Sequence, residues 1–369
     1  MDNSLKLNKL EAVFFILIII INKIILNLPK NLILSCSTGS ILNLIYLAII
    51  SIFILFLVLK FFKPFSNADI LDLSEFLSGK TFKCIIGFLY ILLFFFASSF
   101  VLINFINILE NIYFPLSPRL LILLFFIVPA FIGNLIGGKG ISKTNCIIIP
   151  AIIFSLILIF LGTSESFELT NLFPILGNGA KSIFLDGFTN IYAFSGIAYI
   201  FFLKPMLKNE KDFNKISYLT FGISTLFLIL SVTSLLLTFP TITSSQEINS
   251  IYAISRVIQF GSFLERLDAI FILLWILSVM SYVSISMYLC IRIIQKLFNL
   301  KFSKNLSYLF ATFYLAFCNI PFNAANINFF QTTIYKYYLI FLVYIASTFI
   351  LYFSFLKLKK HNTRSFYEK

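Results

Sequence analysis

Long apolar runs alternate with short polar segments along the whole chain. Each run holds about 18 or more residues, the length that a helix needs to cross the ~30 Å hydrocarbon core of a bilayer. The runs are continuous rather than alternating in polarity, which indicates helices and not barrel strands. They predict an all-α polytopic membrane protein with ten transmembrane helices, here called spans 1 to 10. The predicted bounds are 10–29, 39–60, 83–109, 118–137, 145–162, 184–204, 216–239, 267–291, 305–322 and 333–356.

The connecting segments contain no second soluble domain, so the sequence predicts a single transmembrane domain over residues 1–369. Residues 67–79 and 247–259 carry apolar side chains at helical spacing, and we expect both to be amphipathic helices at the membrane interface. Gly79 is the expected C-cap of the first. A gating role is the alternative for the second, which lies on the predicted outer side. Residues 357–369 form a basic tail.

The distribution of basic residues predicts the orientation. With the N-terminus in the cytoplasm, the inner segments hold 21 of the 28 Lys and Arg residues, and each inner segment holds at least two. This agrees with the positive-inside rule and predicts that both termini are cytoplasmic. Lys23 lies within span 1, and the predicted outer segments hold Lys30, Arg119, Lys181, Arg256, Arg266 and Lys336.

Composition supports the same class of protein. Hydrophobic residues make up 60% of the chain and charged residues 12%, against about 25% charged residues in a soluble domain. The net charge of +13 comes from lysines between apolar runs rather than from a nucleic-acid-binding patch. The five cysteines are widely spaced and form neither a disulfide framework nor a metal motif. The single histidine, His361, lies in the tail, and the chain has no phosphate-binding loop. The sequence indicates neither an enzyme nor a cofactor.

Ten spans divide into two groups of five, and an odd number per group places the groups in opposite orientations. We therefore predict inverted repeats over roughly 10–162 and 184–356. In transporters built this way, the first helix of each repeat is interrupted, and the ligand binds to the backbone groups that the interruption exposes. Spans 1 and 6 are those first helices.

Polar residues and glycine interrupt spans 1 and 6 at matched places. They are Asn22, Lys23, Asn27 and Pro29 in span 1, and Asn190, Phe194, Ser195 and Gly196 in span 6. We expect unwound, ligand-binding segments near Asn22 and near Ser195-Gly196. A structural role is the alternative, since asparagine also forms interhelical hydrogen bonds and glycine allows helices to pack closely.

Lys23 is the charged residue that lies deepest within a predicted span. It follows Lys9 by 14 residues, or about 21 Å of helical rise, which places it beyond the midplane. A charge at that depth costs a few kcal/mol unless it is paired or hydrated. Lys23 either extends to the outer headgroups or is a fixed cation that pairs with an anionic ligand group or replaces a coupling cation.

The start of span 8 resembles a known family signature. Leu264-Glu265-Arg266-Leu267-Asp268-Ala269-Ile270-Phe271, followed by Trp275, is similar to the opening of span 8 in endospore-germination permeases, the B subunits of nutrient germinant receptors in the amino acid–polyamine–organocation superfamily. We interpret Glu265, Arg266, Asp268 and Trp275 as structural, since carboxylates at a helix N-terminus interact favourably with its dipole. Weaker similarities lie at Gly79-Lys80 through Tyr90, Pro115, Pro118, Leu172 through Ile175, Gly177, Gly179, Phe194-Ser195-Gly196 and Pro205.

The resemblance implies a leucine-transporter-like fold that acts as a sensor in the spore inner membrane. An amino acid or another small nutrient would bind from outside between spans 1, 3, 6 and 8. A partner A subunit, together with a C lipoprotein subunit, would pass on the conformational change. The candidate ligand-binding residues are Asn22, Lys23, Asn27, Asn104, Asn190, Phe194, Ser195, Gly196 and Tyr282. The alternatives are a proton-coupled amino-acid permease that transports its substrate and a scaffold without a ligand.

Three departures from the family pattern leave the germinant open. Asn22-Lys23 stands where family members usually have a glycine. Ile197 or Ala198 replaces the common acidic residue after the span 6 glycine. The family's glycine-leucine-glutamate…arginine motif before span 5 is Gly138-Lys139-Gly140-Ile141-Ser142-Lys143 here. A divergent member of the family is therefore a further interpretation.

Overall fold

The structure is a computed structural model that describes residues 6–25, 28–246, 250–258, 267–300, 304–320 and 329–367, without the side chains of 246, 250, 267–270 and 361–367. Within these ranges the chain is helical apart from short connections and one isolated parallel bridge between Leu7 and Leu207. The predicted all-α class follows directly from the continuous apolar runs, because a helix satisfies its own backbone hydrogen bonds inside a bilayer.

The helices are numbered here in chain order. They are α1 (Lys9–Ile25), α2 (Leu28–Cys36), α3 (Ser40–Phe62), α4 (Ile70–Ser78), α5 (Lys80–Ile112), α6 (Arg119–Ile136), α7 (Gly138–Gly162), α8 (Ala180–Phe184), α9 (Ile197–Leu203), α10 (Phe213–Thr238), α11 (Thr241–Gln246), α12 (Ser250–Val257), α13 (Leu267–Phe298), α14 (Lys304–Asn319), α15 (Lys336–Ile340) and α16 (Ser347–Tyr367). A 3₁₀ helix, Asp186–Phe194, precedes α9, and π-helical turns at Phe330–Tyr335 and Phe341–Ala346 flank α15.

Eight helical stretches among the described residues are long and apolar enough to cross a membrane. They are Leu28–Phe62, Lys80–Ile112, Arg119–Ile136, Gly138–Ser166, Ala180–Met206, Glu210–Thr238, Phe271–Phe298 and Phe330–Lys360. The predicted spans 1 and 9 correspond to α1 and α14, which hold 17 and 16 residues, fewer than the ~20 of a typical transmembrane helix. The chain is thus a multi-pass membrane protein, and the count of ten spans stays a prediction.

Helix α1 lies in the interior of the bundle. All but four of its 17 residues are buried, and it contacts α7, α10 and α13. The peripheral helices, in contrast, expose apolar side chains on one face; Ile45, Ile49, Phe53 and Phe56 on α3 are examples. A helix that is apolar all round belongs in the interior, and an exposed apolar face fits contact with lipid. The central position of α1 brings its polar residues against other helices.

Candidate functional site

The interruption in span 6 is the first element of the candidate site. The 3₁₀ helix ends at Phe194, Ser195 and Gly196 form a turn, and α9 begins at Ile197. The Ser195 N–H donates to the Tyr192 carbonyl at 3.1 Å, and the Ala198 N–H donates to the Ser195 carbonyl at 2.9 Å. These bonds span three residues, where an α-helix would span four. The interruption predicted at Ser195-Gly196 is therefore present.

The described part of span 1 is helical through the place where an interruption was predicted. Helix α1 continues through Asn22 and Lys23 to Ile25, and α2 begins at Leu28. The predicted unwinding near Asn22 is wrong, because the Asn22 amide donates to the Ile18 carbonyl four residues earlier at 2.8 Å. This side-chain bond is compatible with an intact helix. Asn27 lies outside the described residues.

Lys23 extends from α1 to the interruption in span 6. Its ammonium donates to the Tyr192 carbonyl at 3.4 Å and to the Ser195 hydroxyl. The side chain is half-buried. The structure thus brings Lys23 and Ser195, both predicted site residues, into direct contact. The ammonium is held by span 6 rather than extended along its own helix.

Gly196 allows α1 to approach span 6 closely. A Cβ atom at this position would lie 2.6 Å from Ile20 Cδ1 and 2.9 Å from Ile20 Cγ1. Carbon atoms at van der Waals contact are about 3.5–4.0 Å apart, so any side chain at residue 196 displaces Ile20. Gly196 thus lets α1, which carries Lys23, pack directly against span 6 next to Ser195.

Span 8 meets the same region on α13. The Asn22 amide donates to the Ser278 carbonyl at 3.2 Å, and the buried Tyr282 hydroxyl lies 3.3 Å from the Tyr199 hydroxyl on α9. Two buried oxygens here, Asn22 Oδ1 and Ser278 Oγ, have no hydrogen-bond partner among the described residues. Buried polar atoms are normally bonded, so these two are exceptions within the described part of the chain.

Span 3 borders this region with an aromatic side chain of α5. The ring centroids of Phe94 and Tyr199 are 4.5 Å apart, which is direct packing. The hydroxyl of Tyr199 in turn faces Tyr282 and Ser286. Residues of spans 1, 3, 6 and 8 therefore form one continuous contact region.

Two predicted ligand-binding residues lie apart from the contact between Lys23 and Ser195. The Asn104 amide on α5 donates to Gln331 Oε1 in the last span at 3.2 Å. The Phe194 ring stacks on Phe221 of α10, with centroids 5.4 Å apart. Neither side chain contacts Lys23 or Ser195, and both serve helix packing in this conformation.

The family signature is only partly within the described residues. Trp275 is buried on α13, and its ring centroid lies 4.5 Å from that of Phe105 and 5.8 Å from that of Phe271. This packing against α5 agrees with a structural role. Glu265, Arg266 and the side chain of Asp268 lie outside the described part of the chain.

Lys336 at the start of α15 is a site residue that the sequence prediction missed. Its ammonium donates to Asn190 Oδ1 at 3.2 Å and lies 4.9 Å from the centroid of the Tyr192 ring. The Asn190 amide donates to Ser35 Oγ at 2.8 Å and to Asn43 Oδ1 at 3.1 Å. Lys336 lies three residues past the predicted start of span 10, after the polar residues Gln331, Thr332 and Thr333, and its charge was assigned to an outer segment. No signal in the sequence therefore singled it out.

Comparison with known proteins agrees with this architecture. The profile of the spore germination protein family matches residues 6–327. The chain is 26% identical over 279 residues to spore germination protein B2 of Bacillus subtilis strain 168, covering 73% of this chain and 74% of that protein. A substrate-bound, outward-open structure of a Na⁺-coupled sialic acid symporter superposes with a TM-score of 0.62 at 12% identity, covering 92% of this chain and 79% of the symporter.

These similarities confirm two of the predictions. The leucine-transporter-like fold is confirmed by the structural likeness to the symporter, and the resemblance to germination permeases is confirmed by the family profile. The number of spans and the side of the membrane on which the termini lie stay predictions. The chain shares its fold with the symporter and is similar to spore germination protein B2, and it belongs to the spore germination protein family.

Proposed function

We propose that this protein is the ligand-sensing, permease-like subunit of a nutrient germinant receptor in the spore inner membrane. A small nutrient, in the first instance an amino acid, binds between spans 1, 3, 6 and 8. A partner A subunit and a C lipoprotein subunit convert occupancy into germination. The observation that carries this proposal is the Lys23 ammonium of α1, which meets the interruption of span 6 at Ser195 and the Tyr192 carbonyl.

The chemistry of Lys23 favours a ligand with a carboxylate. Its acceptors are a hydroxyl and a carbonyl, both neutral, and it forms no ion pair within the described part of the chain. A partly desolvated charge without a counterion is costly, and opposite charges attract more strongly in a low-dielectric interior than in water. A carboxylate that enters beside Ser195 supplies the missing negative charge.

The same ammonium disfavours a mobile cation. A sodium ion or a ligand ammonium beside Lys23 would be repelled, so the fixed charge occupies the place that a coupling cation would need. This supports a sensor rather than a cation-coupled carrier. The sensor requires only that the ligand prefer one conformation, and about 5.5 kcal/mol of preference converts a 1:99 population to 99:1.

Replacing Lys23 by methionine tests this proposal, because the substitution retains the length and removes the charge. Spores with Lys23→Met, at matched receptor level, should need about 10- to 150-fold more of a carboxylate-bearing germinant, which corresponds to the ~1.5–3 kcal/mol of a hydrogen bond to a charged group. Lys181→Met is the control, since Lys181 is exposed on α8. An unchanged half-maximal germinant concentration in Lys23→Met contradicts the proposal.

The second candidate function is substrate transport by a permease, which is favoured by the structural likeness to a Na⁺-coupled symporter. Reconstitution of the purified chain in liposomes discriminates between the two. A sensor binds labelled amino acid without accumulating it, whereas a permease accumulates it in response to a proton gradient. Accumulation that stops in Lys23→Met would identify a carrier that uses the same site.

A further inference from the structure

Two lysines, not one, contact the same short segment of span 6. Lys23 reaches the Tyr192 carbonyl from α1, at 3.4 Å, and Lys336 lies over the Tyr192 ring from α15, 4.9 Å from its centroid. Both ammonium groups therefore touch one residue.

The described residues provide no counterion for either lysine. Lys336 has an amide oxygen, Asn190 Oδ1, and an aromatic ring as its partners, and no ion pair with an acidic side chain joins it or Lys23 in the described ranges. Asp186 is the acidic residue closest in sequence to this segment, and it is exposed at the start of the 3₁₀ helix. Both lysines remain half-buried, so part of each is accessible.

Two neighbouring ammonium groups favour a ligand with more negative charge than a single ammonium group would favour. Like charges in a partly desolvated site repel each other, and a single carboxylate neutralises only one of them. The ammonium of a neutral amino acid would add a third positive charge. A ligand with two carboxylates neutralises both lysines, with one carboxylate beside Ser195 and the other beside Asn190. A dicarboxylate does so without an ammonium of its own, and in an acidic amino acid the second carboxylate offsets the added ammonium.

We propose that the ligand carries two carboxylates, as a dicarboxylate or an acidic amino acid does, and that Lys336 is the residue that recognises the second carboxylate. This inference rests on the proposed function, because it names the ligand class of the same site. Lys23 then sets the affinity for any carboxylate, whereas Lys336 sets the preference for a diacid over its monoamide.

The test compares ligands that differ by one charged group. Thermal stabilisation of the purified full-length chain in nanodiscs is titrated with glutamate, glutamine, aspartate, asparagine and succinate. We expect the wild-type chain to bind glutamate about tenfold more tightly than glutamine, since one carboxylate–ammonium contact is replaced by a neutral amide. Lys336→Gln should bind both equally, and Lys336→Arg should keep the preference. The exposed Lys181→Gln is the control.

The possible outcomes separate this inference from the function on which it rests. Equal binding of glutamate and glutamine by the wild-type chain overturns the inference and leaves the sensor proposal intact. A preference for glutamate that survives in Lys336→Gln overturns the assigned role of Lys336. Stabilisation by chloride without any effect of the diacids indicates an inorganic anion site and also overturns it. A chain that no member of the panel stabilises contradicts both proposals.

Discussion

Two regions of this bundle differ in whether their lysines are paired with carboxylates. Near the N-terminal ends of α1, α4 and α7, lysines pair with carboxylates: Lys139 with Glu11 at 2.8 Å, and Lys296 with Asp69 at 2.6 Å and Asp72 at 2.5 Å. Around the 3₁₀ helix of span 6, Lys23 and Lys336 have only neutral partners among the described residues. The comparison separates charges whose counterions are built into the fold from charges for which the described part of the chain supplies no counterion.

The paired region is stabilised locally as well. Asp69 is the N-cap of α4, where its carboxylate accepts from the Leu71 and Asp72 N–H groups, and the Asp72 carboxylate accepts from the Asp69 N–H. Burial nevertheless raises the pKa of Asp69, because desolvation disfavours its charged form more than the neighbouring Lys296 ammonium favours it. Both carboxylates thus have their hydrogen-bond donors and their cation within the fold itself.

The largest expected effect comes from filling the contact between α1 and span 6. Gly196→Leu places a side chain where Ile20 now lies and should abolish the germinant response by separating Lys23 from Ser195. Gly222→Leu on α10 is the matched control, because a Cβ at residue 222 meets no atom within 4 Å. Germination of spores with matched protein levels is the measurement. A normal response in Gly196→Leu would show that this contact is not required.

Substitution in the paired region should lower the stability of the protein rather than its response to germinant. Lys296→Met leaves Asp69 buried without its cation and should destabilise the protein by about 1–3 kcal/mol, less than the 3–5 kcal/mol of a fully buried pair because Lys296 and Asp72 are partly exposed. Thermal unfolding in detergent measures the loss. Adding Asp69→Asn should restore part of it, and a double variant less stable than Lys296→Met would contradict the pairing argument.

The stability that Lys296→Met loses should depend on pH, in a direction that follows from the pKa of Asp69. The folded-state pKa of Asp69 lies above its ordinary value, so the folded protein binds this proton more tightly than the unfolded chain does. Stability from this group is therefore present at low pH and is lost as the pH rises through the folded pKa. The defect of Lys296→Met should shrink as the pH falls. A defect that grows on acidification would show that Lys296 stabilises the protein by another route.

The smallest effect is expected where a pair is partly exposed. Lys83 and Glu75 are 2.7 Å apart, with the carboxylate side chain 35% exposed. Lys83→Met should cost about 0–1 kcal/mol and leave the germinant response unchanged. A shift in the half-maximal germinant concentration in this variant would contradict the division between paired and unpaired charges.

The sequence predicted those features that depend on local pattern. Apolar runs indicated the spans, and a serine and glycine inside span 6 indicated its interruption. Asn22 misled the prediction because an asparagine side chain can bond the carbonyl four residues back and leave its helix intact. A single sequence does not distinguish that arrangement from unwinding.

Features that depend on the packing of segments far apart in the chain could not be predicted from the sequence. Lys336 contacts Asn190, which is 146 residues away in the sequence. No motif around either residue indicates this contact. Lys23 was recognisable because a lone charge deep in an apolar run is costly wherever it lies. Its partners, Ser195 and the Tyr192 carbonyl, became evident only when spans 1 and 6 were packed together.

The π-helical turns on both sides of α15 bear on how this receptor family can diverge. A π turn contains one residue more than an α turn, and each residue of a helix rotates the next by about 100°. Lys336 directly follows the turn at Phe330–Tyr335. Deletion of one residue there would rotate Lys336 away from Asn190 and present a different side chain. Under the proposed function, a small change in length at this turn, without any substitution in the site, would change the charge that the protein presents to a ligand.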